Sequence, residues 1–251
     1  MKLKFSEYKT DARAILDGKY SLAAGSAFVL FLIIFLLQMP FAIMLANATS
    51  YMTIITTIVA DFIIELLGMM LFIGLKQIHL SLARGRETTI KDLFYAFHNQ
   101  SNQLTKIALF FSVINYIFQA PRLVWAALAQ SYVSTTMYYL VMLIMYLVWA
   151  VIYLAVILNH AVAFELCLDH IEYKVSDALR QSRQIMKGRR MHYFWLHASF
   201  IGMYILGLIS MMIGFLWVIP YIVQTQECYY LQLVRGMDRQ QDGADGLEQI
   251  V

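Results

Sequence analysis

The chain has 251 residues, 61% hydrophobic and only 14% charged, with a formal net charge of +3 and a mean hydropathy of +0.64. Soluble domains are nearer half apolar and a quarter charged, so water is excluded as the solvent for most of this surface. Two cysteines, Cys167 and Cys228, are too few for a disulfide framework and read as small apolar filler.

Between Lys2 and Asp17, Phe5, Tyr8, Ala12, Ile15 and Leu16 fall on one helical face and Lys9, Arg13 and Asp17 on the other, which predicts an amphipathic helix. The first twenty or so residues carry charges of both signs, and no small-residue cleavage site follows, so they are not expected to be a cleaved leader. Gly18 lets the chain turn into a first apolar span, about residues 22–45. Roughly 20 such residues cross the hydrocarbon layer of a bilayer. A polar turn at Asn47, Thr49 and Ser50 leads to a second span, about 52–75, continuing as helix toward Arg84-Gly85.

Thr89 is a plausible N-cap with Asp92 three residues on, and Ile90, Leu93, Phe94 and Phe97 form the apolar face of a second short helix. The third span covers about 104–128, interrupted at Pro121-Arg122. The fourth runs from about 137 to 161 and on toward Asp169. A third amphipathic helix starts at Ser176, with Val175, Ala178, Leu179, Ser182, Ile185 and Met186 on one face and Arg180, Arg183 and Lys187 on the other. The apolar block 193–234 is too long for one span. Gly214 and Pro220 divide it into spans near 193–213 and 216–234, and the polar residues 238–251 are expected to be disordered.

The three short helices recur at a spacing of 85, with Ser6-Glu7, Lys91-Asp92 and Ser176-Asp177 in the same place. Arg13 and Arg183, Ile15 and Ile185, and Gly18 and Gly188 also correspond. The expected fold is therefore all-α and integral to a membrane, with six transmembrane helices in three tandem units of one amphipathic helix plus one helical hairpin. The units cover about 1–85, 86–170 and 171–237, within a single domain 1–237. Of 19 Lys and Arg residues, only Arg122 lies outside the N-terminal segment, 76–106, 174–190 and the tail. The positive-inside rule then predicts that both termini and all three amphipathic helices are cytoplasmic.

Asp61 and Glu65 stand four apart in the second span and share a face. Intramembrane acids usually face a bundle interior, a cavity or a partner, and Arg122 in span three is the natural candidate partner. Glu227 is a further acid in span six, beside Gln224 and Gln226. Asp61, Glu65, Arg122 and Glu227 thus form a candidate intramembrane polar site, either a structural ion pair or the lining of a path. Glu165 and Asp169, at the end of span four, call for no special role. His79, His98, His160, His170, His192 and His197 lack the pairing of a zinc helix. No Gly-rich phosphate loop or nucleophile elbow is present, so no catalytic, metal, cofactor, nucleotide or nucleic-acid site is expected. Lys9, Arg13, Arg180, Arg183, Lys187, Arg189 and Arg190 are candidate contacts for anionic lipid headgroups, each worth about 1 kcal/mol near such a surface. The bland alternative is that these helices simply brace each hairpin.

Asp177-Ala178-Leu179, Ser182, Gly188, Pro220-Tyr221 and Tyr229-Tyr230-Leu231 carry a resemblance to an uncharacterised family of polytopic membrane proteins of Gram-positive bacteria. That family is distantly similar to the membrane domain of some glycerophosphodiester phosphodiesterases. The resemblance implies no activity and no catalytic residues. The resulting expectation is a non-enzymatic protein of the bacterial cytoplasmic membrane that organises anionic lipid or supports a membrane protein partner in export or envelope assembly. The rival expectation is a small transporter or channel.

Overall fold

The computed structural model describes residues 5–46, 50–98, 101–128, 135–170, 172–211 and 213–248, all of them helix, turn or loop. The amphipathic segment is α1 (Phe5–Leu16), followed by the long hairpin α2 (Tyr20–Ala46) and α3 (Tyr51–Ala83). A 3₁₀ turn (Ile90–Phe94) and α4 (Tyr95–His98) lead to α5 (Ser101–Leu128) and α6 (Thr135–Asn159). Then come α7 (Ala163–Asp169), α8 (Val175–Ile185), α9 (Arg190–Ala198), α10 (Ile201–Ile209) and α11 (Phe215–Glu248). Among the described residues, four helical segments are long and apolar enough to cross a membrane: Tyr20–Met44, Ile55–Ala83, Tyr139–Asp169 and Arg190–Ile209. Helices α5 and α11 occupy the places expected for spans three and six without joining that set. Both carry inward polar residues, among them the fully buried Ser112 of α5 and Gln224, Thr225 and Glu227 of α11.

Several expected boundaries differ. Helix α5 continues unbroken through Pro121, as helices tolerate when only one backbone bond is forgone and neighbours satisfy it. Pro220 likewise lies inside α11, and the division falls at 210–214, where the Ser210 hydroxyl accepts the Gly214 N–H at 2.8 Å. Span four breaks at His160–Val162 and span five at Ser199–Phe200. The first break is fastened by Ser182 of α8, whose hydroxyl donates to the Asn159 carbonyl (3.3 Å) and accepts the Val162 N–H (3.4 Å). Residues 238–248 continue α11 as helix. Extending an existing helix escapes the nucleation cost that a separate polar segment would face.

Glycine conformation and burial relate the two outer short helices. Gly18 and Gly188 both take left-handed φ, +70° and +77°, which a Cβ disfavours. The buried residues of α1 are Tyr8, Ala12 and Leu16. The residues 170 positions later, Ala178, Ser182 and Met186, are buried as well. The apolar faces of both helices are covered by protein. Tyr8 packs on Tyr229 of α11 (ring centroids 5.3 Å), and the Tyr221 hydroxyl donates to the Lys9 carbonyl at 3.4 Å. The middle segment behaves differently from its expected face. Leu93 and Ala96 are buried, while Ile90, Phe94 and Phe97 are exposed, so the buried ridge of this segment runs through 93 and 96. That ridge presses on Gly74 of α3, where a Cβ would lie 1.9 Å from the Leu93 carbonyl oxygen.

Burial is concentrated at one end of the bundle. Leu16, Ile73, Leu75, Ile78, Leu80, Leu104, Ile107, Met186, Phe200, Tyr229 and Tyr230 are essentially inaccessible. Elsewhere α2, α3, α6 and α10 expose large apolar side chains, including Phe31, Met52, Leu143, Val151 and Ile209. Such a surface suits lipid and not water.

Candidate functional site

The packed end of the bundle encloses charge. Lys76 and His79 stand three apart on α3, and Gln224 and Glu227 have the same spacing on α11. Lys76 meets Glu227 (Nζ–Oε1 3.0 Å) and His79 meets Gln224 (Nδ1–Oε1 2.9 Å). Gln224 Nε2 donates to the His79 carbonyl at 3.2 Å, leaving its Oε1 to accept from His79 Nδ1. Helix α7 supplies Glu165, which forms a second ion pair with Lys76. Gln226 Oε1 accepts from the same ammonium at 3.3 Å. Lys76 thereby uses all three of its donors. Lys76, His79, Glu165 and Glu227 are between 0% and 3% exposed. Among the described residues, the second oxygens of both glutamates and Nε2 of His79 have no hydrogen-bond partner.

One helical turn further along α7, Asp169 accepts from Arg84 Nη2 at 2.6 Å and from the Tyr230 hydroxyl at 2.7 Å. The hydrogen bond to Asp169, opposed by burial, holds the Arg84 guanidinium above its usual pKa. Glu165 pairs with Lys76 and Asp169 with Arg84, so α7 runs parallel to α3 and seals its end to α11. One ammonium lies between two glutamate side chains, with neutral amides alongside, in a site almost closed to solvent. Removing water from such a group is costly unless every partner is in place.

Above Lys76 lies a cavity of about 520 Å³. Its walls are chiefly apolar, with Met69, Phe72, Phe111, Leu158, Phe164 and Phe194 among them, and Lys76, Gln226, His160 and His197 are among its polar residues. His160 Nδ1 is buried without a hydrogen-bond partner among the described residues. A second cavity of about 410 Å³ shares Asn115 and Tyr153 with the first and is also lined by Glu65, Phe118, Tyr146, Trp149 and Ala150.

The three acids of the expected polar site have separate partners. Asp61, half-buried, accepts from Gln38 Nε2 at 3.3 Å. Glu65, half-buried, accepts from Asn115 Nδ2 at 2.9 Å, and Asn115 Oδ1 accepts from the Tyr153 hydroxyl at 2.8 Å. Glu227 belongs to the Lys76 cluster, and the Arg122 side chain lies outside the described residues. No hydrogen bond or ion pair joins these acids to one another among the described residues. From sequence alone Lys76 is placed only in the basic segment 76–106, and Glu165 and Asp169 are given no special role. The matched spacing of Lys76/His79 and Gln224/Glu227 was the available signal.

Of the basic residues on the short helices, Arg13, Arg180, Arg183 and Lys187 are exposed. Lys9 donates to the Ser199 carbonyl at 3.1 Å and lies 4.2 Å from the Phe200 ring centroid. Burial holds its ammonium below the usual lysine pKa, followed by the influence of Arg13. Arg189 donates to the Ile185 carbonyl at 3.4 Å. Arg190 is half-buried, and its Nε has no partner among the described residues. Among the described residues, no group of three or more His, Cys, Asp or Glu is placed to hold a metal ion.

Neither a curated protein nor a solved structure matches this chain. Residues 1–236 match the family described as "Protein of unknown function (DUF975)", and with nearly its whole length covered the chain belongs to that family.

Proposed function

We propose that this is a non-enzymatic, multi-pass protein of the bacterial cytoplasmic membrane that binds and organises anionic lipid. In this reading α2, α3, α5, α6–α7, α9–α10 and α11 are six spans in three tandem units, with both termini and the short helices on the cytoplasmic side. The observation that carries the lipid role is the 520 Å³ cavity with apolar walls, lined in part by α9. Arg190, Phe194 and His197 follow at spacings of four and three, so they share a face of α9. Phe194 and His197 line the cavity, and Arg190, whose Nε has no hydrogen-bond partner among the described residues, lies one turn before Phe194 on the same face. An acyl chain in the cavity would present a phosphate to that guanidinium, and the exposed Arg180, Arg183 and Lys187 add to the attraction.

Since α1 and α8 spend their apolar faces on protein, these helices brace the hairpins and meet lipid only through their charged faces. The exposed ridge Ile90, Phe94, Phe97 is the short segment with apolar side chains left for the interface. Native mass spectrometry of the delipidated full chain, re-supplied with phosphatidylglycerol or phosphatidylcholine, tests the proposal. Retention of the anionic lipid is expected, with loss in Arg190→Gln and in the cavity-filling Ala161→Trp. Equal retention of both lipids would sink it.

The transporter reading keeps one specific support, the Glu65–Asn115–Tyr153 chain that connects the two cavities. It would be abandoned if Asp61→Asn and Glu65→Gln left a folded protein with its cellular phenotype intact.

A further inference from the structure

We infer that the second cavity binds an organic cation of quaternary-ammonium or phosphonium type, held by Glu65 inside a box of aromatic rings. This site is distinct from the lipid cavity, although the two share Asn115 and Tyr153, and it does not depend on the lipid reading.

Four of the seven lining residues are Phe118, Tyr146, Trp149 and Tyr153. Phe118 stands edge-on to Trp149 (centroids 5.0 Å, 89° between planes) and to Tyr153 (5.0 Å, 63°). Rings set near right angles form adjoining walls, and the face of each ring carries the negative end of its quadrupole. Into the same space comes Glu65, ten residues inside the apolar segment Ile55–Ala83. Its one hydrogen-bond donor among the described residues is the neutral amide of Asn115. That amide is held in orientation, because its oxygen is occupied by the Tyr153 hydroxyl. A carboxylate removed from water calls for positive charge, and the ring faces favour the same sign. An anion would be repelled by both.

The class of cation follows from the donor set. A calcium or magnesium ion needs about six oxygen ligands, and this cavity offers far fewer. A large, weakly hydrated organic cation needs none, and 410 Å³ is ample for one. Two sources share that chemistry: a free lipophilic cation dissolved in the membrane, and the choline headgroup of a zwitterionic lipid.

The full chain in an uncharged maltoside detergent is titrated with tritiated tetraphenylphosphonium, with choline as competitor and tetraphenylborate, of matched shape and opposite charge, as control. Saturable phosphonium binding that borate does not displace is expected. Glu65→Gln, which keeps the Asn115 bond, is expected to weaken binding at least about tenfold, and Trp149→Leu several-fold. Trp149→Phe, which keeps a ring face, should lie between wild type and leucine, so a fold defect in the leucine variant does not decide the matter. Competition by added phosphatidylcholine identifies the headgroup as the natural source, and its failure to compete identifies a free cation. Binding indistinguishable from the detergent blank, or equal in wild type and Glu65→Gln, overturns the proposal. So does binding that appears only in Arg122→Gln, since Arg122 would then be the cage's own occupant. Loss of the lipid preference with phosphonium binding retained would separate failure of the lipid reading from failure of this one.

Discussion

Replacing Lys76 with methionine is the sharpest test of the buried charge cluster. The ammonium is paired with Glu165 and Glu227, and all three side chains are at most 4% exposed. Methionine has a similar length and removes only the charge and its three donors. Taking one partner from a buried pair costs about 3–5 kcal/mol, and here two carboxylates lose their common cation. A loss near the top of that range is expected, which for a chain of this size lowers Tm by about 10 °C or more. Glu165→Gln or Glu227→Gln leaves Lys76 one acidic partner and should cost less than Lys76→Met, which strands both acids. The triple variant Lys76→Met/Glu165→Gln/Glu227→Gln, with no buried charge left, should recover most of the lost stability. Scanning fluorimetry and size-exclusion chromatography of the four proteins in one detergent provide the measurement. A Lys76→Met protein as stable as wild type, or a triple variant no better than it, would refute the reasoning.

Gly74→Ala puts a Cβ 1.9 Å from a backbone oxygen of Leu93, and backbone cannot swing aside as a side chain does. A loss of about 3 kcal/mol or failure to accumulate is expected, and a wild-type Tm would show that the 3₁₀ turn does not press on α3. Ser182→Ala leaves the Asn159 carbonyl and the Val162 N–H without their shared hydroxyl. About 1–2 kcal/mol should be lost, with faster hydrogen exchange confined to 159–163 as its signature. The six-span topology predicts that cysteines placed at 48 and 132 react with an impermeant maleimide from outside intact cells. One at 174 should react only after lysis, and the opposite pattern at any of the three positions would break the orientation.

Much of the helix order was legible because long-range hydropathy is a local property of the chain. The stretches 22–45, 52–75 and 137–161 needed only their own residues to announce α2, α3 and α6. The same holds for Thr89, whose N–H is accepted by Asp92 at 2.8 Å, and for the turn glycines Gly18 and Gly188. Partnerships across the chain were not legible. The candidate pairing of Asp61 and Glu65 with Arg122 falls on a side chain outside the described residues, and Lys76 was left out because it stood one residue beyond the expected end of a span. Its partners are 89 and 151 residues away, and only the packing of α7 and α11 against α3 brings them together. Glu165 and Asp169 looked like ordinary helix-end acids for the same reason.

That misplacement has a consequence for the orientation proposed above. The positive-inside rule concerns cations that face the cytoplasm, and a lysine neutralised inside the bundle has no vote. Lys76 therefore leaves the tally, and Arg84 is compromised by its bond to Asp169. The weight shifts to the exposed Arg13 and Lys19 of the first segment and to the exposed Arg180, Arg183 and Lys187 of the third. These two segments stand 170 residues apart, close with the same left-handed glycine and bury the same three positions. A repeat whose copies enter the membrane in the same way must carry its charges on the same side. The orientation thus rests on the equivalence of α1 and α8 more than on the total count, and it would survive even if the middle segment contributed nothing.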